Sequence, residues 1–280
     1  MPNTTTGFAP TAAGVYYSNS NYTNVYNLAI NVRKDKLYGG TFHLGIADGV
    51  WAESTLYYED KNGYGVSPDS YSNSLSRYTA QATAGLDVTA PKGVQYGRSG
   101  VGGDRYGVTT KLHWESGNNV VEGGIWAEVD KYHRTQARYN TMDGAPDGEP
   151  NLDELVYLRR DYRSKRDTLQ IFLKDTLKLM DDRLVLDAGF KGLMLDYSLG
   201  GYRDFDDYYR VVGGTAVAGW GPQYNTAHYR DMFLPMAGLL FKINERSQIF
   251  ASYAETMALP KGMDDIYAVT RTGTSALVPQ

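Results

Sequence analysis

Between residues 233 and 257 the apolar positions recur at every second residue. Ala237, Leu239, Phe241 and Ile243 alternate with Met236, Gly238, Leu240 and Lys242, so an extended chain here has one apolar face and carries Lys242 on the other. Residues 244–247, Asn-Glu-Arg-Ser, supply a turn, and 248–257 reads as the returning strand. The same period runs through the rest of the chain. In 26–33, Tyr26, Leu28, Ile30 and Val32 oppose Asn27, Ala29, Asn31 and Arg33, and 41–47 continues with Phe42, Leu44 and Ile46. Asp48-Gly49 is a tight-turn signal ahead of 50–59. Val108, Leu112 and Trp114 share a face in 106–115, as do Val121, Ile125, Ala127 and Val129 in the next run, against Lys111, Glu122 and Glu128. Leu169, Ile171, Leu173, Leu177 and Leu179 oppose Lys174 and Lys178, and Leu184, Leu186, Ala188 and Phe190 oppose Asp187 and Lys191. A helical period of 3.6 would scatter each of these sets around an axis.

The connections divide into two kinds. Residues 116–119, 180–183 and 244–247 are short turns, whereas 60–104, 133–166 and 198–230 are long and rich in Gly, Ser, Tyr, Asn and charge. A further strand is expected near 78–88 inside the first of these. The segment 34–36 fits poorly, since two short connections in succession break the alternation; it reads either as a short outer loop or as a bulge joining two runs. The pattern predicts an all-β protein of about ten long antiparallel strands in one curved sheet, with short turns at one end and long loops at the other, the architecture of a transmembrane β-barrel fragment. Leu28, Ile30, Val32, Leu112, Trp114, Ile125, Leu169, Ile171, Leu173, Leu184, Leu186, Leu239 and Phe241 are expected on its lipid side. Lys111, Glu122, Glu128, Lys174, Lys178, Asp187, Lys191 and Lys242 are expected towards its lumen.

Mean hydropathy of -0.45 decides little, because a barrel with a polar lumen and wet loops averages out like a soluble protein. Tyrosine says more. The 280 residues hold 24 Tyr against 8 Phe and 4 Trp, together with 31 Gly, and an amphipathic ring suits a membrane interface or a binding loop. A net charge of -4 argues against a general nucleic-acid surface, and the absence of cysteine removes disulfides and thiolate metal sites. No window reaches about 18 consecutive apolar residues, so no membrane-spanning helix is predicted. The first residues, MPNTTTGFAPTAAG, have neither a basic stretch nor an apolar core and do not read as a secretory signal peptide.

Catalytic constellations are not legible. His43, His113, His133 and His228 are scattered, there is no Gly-x-Ser-x-Gly elbow, and the glycines of 100–107 lack a strand-to-helix context for phosphate. No enzymatic activity and no cofactor is therefore expected, with one qualification. Asp143, Asp147 and Glu154 fall at the first, fifth and twelfth places of a calcium loop, although Ala145 occupies the third and two prolines intervene.

At this point the residues carry a resemblance. The run 172–197 is similar to the strand-turn-strand of TonB-dependent outer-membrane receptors, with Asp175-Thr176 before the turn and Gly189-Phe190-Lys191 after it. Pro235, Gly238-Leu239 and the segment 251–255 followed by Pro260 resemble a second unit of that family, and 105–128 a third, together about a third of the chain. The TonB-contacting box, the plug and a terminal aromatic strand have no counterpart here, and about ten strands is under half of the family's about twenty-two. The resemblance implies that 1–280 is a partial barrel domain of a larger receptor in the cell outer membrane. Its partners would then be outer-membrane lipid, its own plug domain, the TonB complex and a scarce small-molecule ligand such as a siderophore, cobalamin or saccharide. Loop tyrosines Tyr64, Tyr71, Tyr139, Tyr202, Tyr208 and Tyr224 are the candidate ligand contacts. Two alternatives stay open. A passive outer-membrane pore or barrel enzyme would need no plug, and a soluble β-rich carbohydrate-binding module would need two packed sheets around a dry core.

Overall fold

A computed structural model describes residues 29–144 and 148–257. The chain enters at β1 (Asn31–Arg33) and β2 (Lys36–Ala47), turns at Asp48-Gly49 into β3 (Val50–Asp69), and forms a helix, α1 (Tyr71–Thr83). It returns through β4 (Gln95–Ser116), β5 (Asn119–Thr141), β6 (Pro150–Leu179) and β7 (Leu184–Tyr202). A short helix, α2 (Phe205–Tyr208), and the hairpin β8 (Tyr209–Val212) and β9 (Thr215–Ala218) precede β10 (Gln223–Asn244) and β11 (Ser247–Ala254). All but β8 and β9 lie in one nine-stranded antiparallel sheet. Its order follows the chain, from β1 and β2 on β3 to β10 and β11, and the two ends of the order do not pair. A single sheet of this kind is not the two-layer sandwich that a carbohydrate-binding module requires.

The 34–36 ambiguity is resolved by register. Asn31 pairs Gly65 and Lys36 pairs Asp60, so β1 and β2 lie against β3 in one continuous register and form a single interrupted strand. The interruption is local: the Lys34 N–H still donates to the Asn62 carbonyl at 2.8 Å, and Asp35 accepts from the Asn62 N–H at 3.0 Å. The expected strand near 78–88 is instead the end of α1 and an irregular segment. Ser70 caps that helix by accepting from the Asn73 N–H at 3.2 Å, and Gly85, at φ +90°, follows its end.

The long connections are shorter than the sequence suggests because the strands run on into them. β3 and β4 pair outward as far as Asp69 opposite Gln95, β5 and β6 as far as Thr141 opposite Pro150, and β7 and β10 as far as Gly201 opposite Gln223. These ends lie together, and the turns at 48–49, 117–118, 180–183 and 245–246 gather at the opposite end, as expected.

Pairing also fixes the faces, since directly opposed residues point the same way. Trp114 opposes Val121, Leu112 opposes Gly123, Ile125 opposes Ile171, and Leu173 opposes Phe190. Leu186 then opposes Leu239, and Leu184 opposes Phe241. On the other side, Glu122 opposes Lys174 and Lys191 opposes Phe172, so Lys191 and Phe190 are on opposite faces. Val32 shares the apolar face but opposes Tyr64, beyond the apolar band, and Leu28 lies outside the described residues. Among the described residues nothing covers the apolar face: Leu112 is 47%, Trp114 49% and Ile249 54% exposed. Tyr38, Tyr58 and Tyr106 form a cross-strand row at the outer margin of this band, and Trp114 lies at the inner margin. Those margins are eight residues apart on β4, about 26 Å along a strand and about 20 Å in height at a tilt of about 40°.

Candidate ligand-binding face

The polar face gathers charge on the outer half of the strands because the register places opposite charges side by side. Arg105 opposes Asp130, which opposes Arg166. Glu128, with only 2% of its side chain exposed, accepts from the Tyr57 hydroxyl at 2.6 Å and lies 3.4 Å from Arg166 and 3.9 Å from Arg105. The Trp126 indole N–H donates to the Tyr57 oxygen at 2.8 Å, which completes that hydroxyl's bonding. Asp130 takes Lys61 at 2.7 Å and Arg166 at 3.2 Å, and Arg105 takes Glu59 at 2.7 Å. Long side chains held from several sides in this way form a rigid charged lattice.

Further out, the same face becomes apolar and aromatic. Tyr162, Leu195, Tyr197 and Leu199 are buried together, with Ala227, Tyr229 and Met257 packed on them. Beside them Asp69 anchors α1, accepting from the Tyr157 hydroxyl at 2.5 Å, from the Asn73 amide at 2.8 Å, from the Ser74 hydroxyl at 3.2 Å and from the Ser70 N–H at 2.9 Å. Burial pushes the Tyr157 phenol well above the usual range; Arg138 opposes that push and the bond to Asp69 adds to it, so Tyr157 stays a donor.

The six tyrosines expected to meet ligand are not brought together. Tyr64 and Tyr139 pack on the cluster of Val66, Val94 and Tyr96, on the apolar side of the outer sheet. Tyr202 and Tyr208 stack on each other, centroids 4.4 Å apart at 14°, and Tyr71 opens α1. Tyr224, 65% exposed, lies on β10 opposite Gly200. Of the calcium-loop residues, Asp143 lies in a 3-10 turn (Met142–Gly144), Asp147 falls outside the described residues, and Glu154 is on β6. The Glu154 carboxylate is held by Lys92 at 2.5 Å and Asn140 at 2.8 Å, so a cation there would compete with an ammonium group. Among the described residues no three His, Asp or Glu side chains converge as a metal site.

The basic run at 159–166 reads in the sequence as part of a solvated loop, and it lies in the outer part of β6. Arg160 and Arg166 point to the polar face, whereas Arg163 and Lys165 point away. The signal was present as alternation, hidden because both of its phases are charged. An open groove of about 920 Å³ is lined chiefly by apolar-face residues, with Tyr38, Leu56, Tyr58, Tyr106, Leu169 and Met194 among its walls.

The TonB dependent receptor-like β-barrel family model matches residues 2–280. The chain belongs to that family. It is a family of receptors and transporters and not one of enzymes. Among solved structures, the TonB-dependent barrel is similar to the siderophore receptor PiuA from Acinetobacter baumannii at 18% identity and a TM-score of 0.42, covering 82% of this chain and 33% of that one. It thus spans about a third of the length of that receptor. No curated protein matches it.

Proposed function

We propose that this chain forms part of the wall of an outer-membrane receptor that takes up a scarce small ligand with energy delivered through TonB. The observation that carries the reading is the opposition of the faces: an uncovered apolar band edged by Tyr38, Tyr58, Tyr106 and Trp114, backed by a lattice of fixed charges. A band about 20 Å high suits the hydrocarbon, and aromatic margins suit its interfaces. Lysines and carboxylates on the other face need water or a polar filling, and a plug domain supplies that. The charged and aromatic outer half of this face is where ligand would be met.

The test is uptake by the intact protein in cells with and without a functional TonB complex. Loss of accumulation without TonB is the expected result. Accumulation that is unchanged would make the protein a passive pore and overturn the reading.

A further inference from the structure

A cavity of about 230 Å³ opens on the polar side of the outer sheet between α1, β5, β6 and α2, lined by Asp69, Asn73, Arg77, Gln136, Arg138, Tyr157, Arg159 and Phe205. We propose that it is a subsite for an oxyanion, a carboxylate or phosphate group borne by the transported ligand, gripped by Arg77, Arg138 and Arg159. The proposal rests on the reading of the polar face as the ligand side.

Three guanidinium groups meet one lining carboxylate, and that carboxylate is already committed. Asp69 is saturated by Tyr157, Asn73, Ser74 and Ser70, and stands 3.9 Å from the Arg138 Nε. The Nε and one Nη of Arg138 are buried without a hydrogen-bond partner. Leaving such donors unmet is costly, and an incoming oxyanion would meet them. The position of this guanidinium is built into the sheet. It lies over Gly97, where a Cβ would come within 1.9 Å of its Nη1. Arg159 is delivered by a different device. Gln136 pairs Arg160 and Ala137 pairs Leu158, so Arg159 is the extra residue of a bulge, re-aimed from the strand's alternation. Arg77 reaches in from α1, its guanidinium 4.1 Å from the Phe205 centroid and bonded to the Tyr209 hydroxyl at 2.7 Å. Phe205 also has Arg159 at 5.5 Å, so one ring spaces two cations around the opening. Among the described residues Asp204, 3.4 Å from Arg159, competes from outside the lining.

Calorimetric titration of the intact protein in detergent with inorganic phosphate tests this, with chloride at matched ionic strength as the control. Arg138→Gln and Arg159→Gln should each weaken phosphate binding by about tenfold or more, the scale of a charge-assisted hydrogen bond. Gly97→Ala, which displaces the Arg138 guanidinium, should act in the same direction. Asp204→Asn should tighten binding, an effect that damage to the fold cannot mimic. Arg163→Gln, on the opposite face, should leave it unchanged. Equal heat from chloride, phosphate affinity retained within about twofold in both arginine variants, or an equal loss in Arg163→Gln would overturn the subsite. Phosphate binding needs no TonB, so failure of TonB-dependent uptake with intact titration would remove the transport reading and leave the subsite standing.

Discussion

Glu128 shows what a single side chain does in a wall one residue thick. Its carboxylate is nearly inaccessible, and its partners come from three other strands: Tyr57 on β3, Arg105 on β4 and Arg166 on β6. Removing it takes the acceptor from the buried side of the Tyr57 hydroxyl and loosens Arg105 and Arg166, which keep Glu59 and Asp130, so Glu128→Ala should destabilise the intact protein by about 1 to 3 kcal/mol. Glu128→Gln, which keeps an acceptor, should lose less; the midpoint of denaturant unfolding measures both, and a loss below about 1 kcal/mol for Ala would show the lattice to be dispensable. Glu154 provides a pH-dependent counterpart. Its bond to Lys92 holds its carboxyl below the usual glutamate range, despite an opposing effect of burial. The native state therefore gains stability from this pair at pH above about 4.5 and loses it as pH falls from there through the lowered native value. Lys92 belongs to the irregular segment that follows α1, which is also held by Thr89 donating to the Leu155 carbonyl at 2.6 Å and by Asn140. Acidification below about pH 4.5 should thus expose residues 84–94 to limited proteolysis before the sheet unfolds; a cleavage rate independent of pH, measured with an acid-active protease, would exclude this. Neither arrangement was legible in the sequence, because both depend on which residues lie opposite across strands far apart in the chain.

At the scale of elements, alternation revealed the inner halves of the strands, where one face is apolar and the other charged. Leu112 against Lys111 and Leu173 against Lys174 are typical. It fades in the outer halves, where both faces are wet and Gly, Tyr and charged residues occupy either, so in the sequence the outer ends of β3, β4, β5, β6, β7 and β10 read as loops. The helix α1 was missed for a related reason. It has no broad apolar stripe, and of its residues Ser74 and Gln81 are the buried ones. Gln81 docks by copying a strand, donating to the Leu158 carbonyl at 2.6 Å and accepting from its N–H at 3.0 Å. The inner halves give the sharpest test of sidedness. Ile171→Arg or Leu186→Arg should cost about 2 to 4 kcal/mol in the folded barrel, whereas Gln170→Arg, one position away on the polar face, should cost less than about 1; unfolding in lipid vesicles compares them, and equal costs would refute the assignment of faces. A gentler change is available in the turn after β6. Met180, Asp181 and Asp182 all have positive φ, at 58°, 53° and 61°. Met180→Gly should relieve part of that strain and stabilise the hairpin by about 0.5 to 1 kcal/mol, seen as a higher unfolding midpoint.

The whole molecule separates a regular wall from an irregular outer end. Residues 203–222, with α2, β8 and β9, stand outside the main sheet and display Val211, Val212 and Trp220. Replacing 205–221 by a short Gly-Ser linker in the intact protein should weaken ligand binding and leave assembly unchanged, read as heat-modifiable migration on a gel. Unaltered affinity would assign recognition elsewhere on the polar face. Mechanically, the two regions are unlike. β3 and β4 keep one register for twenty pairs, and β4 with β5 and β6 with β7 keep theirs as well. At the outer end slippage falls in β5 against β6 around 136–140, beside Arg138; a further shift, in β10 between Asp231 and Leu234, lies lower, within the band. A sheet so evenly laced behaves as a stiff plate with a compliant rim. Load applied by a ligand at the rim would be absorbed there, by bending about the bulges, and would not be passed down the strands. A signal that a ligand has arrived must then travel through whatever occupies the polar side of the plate.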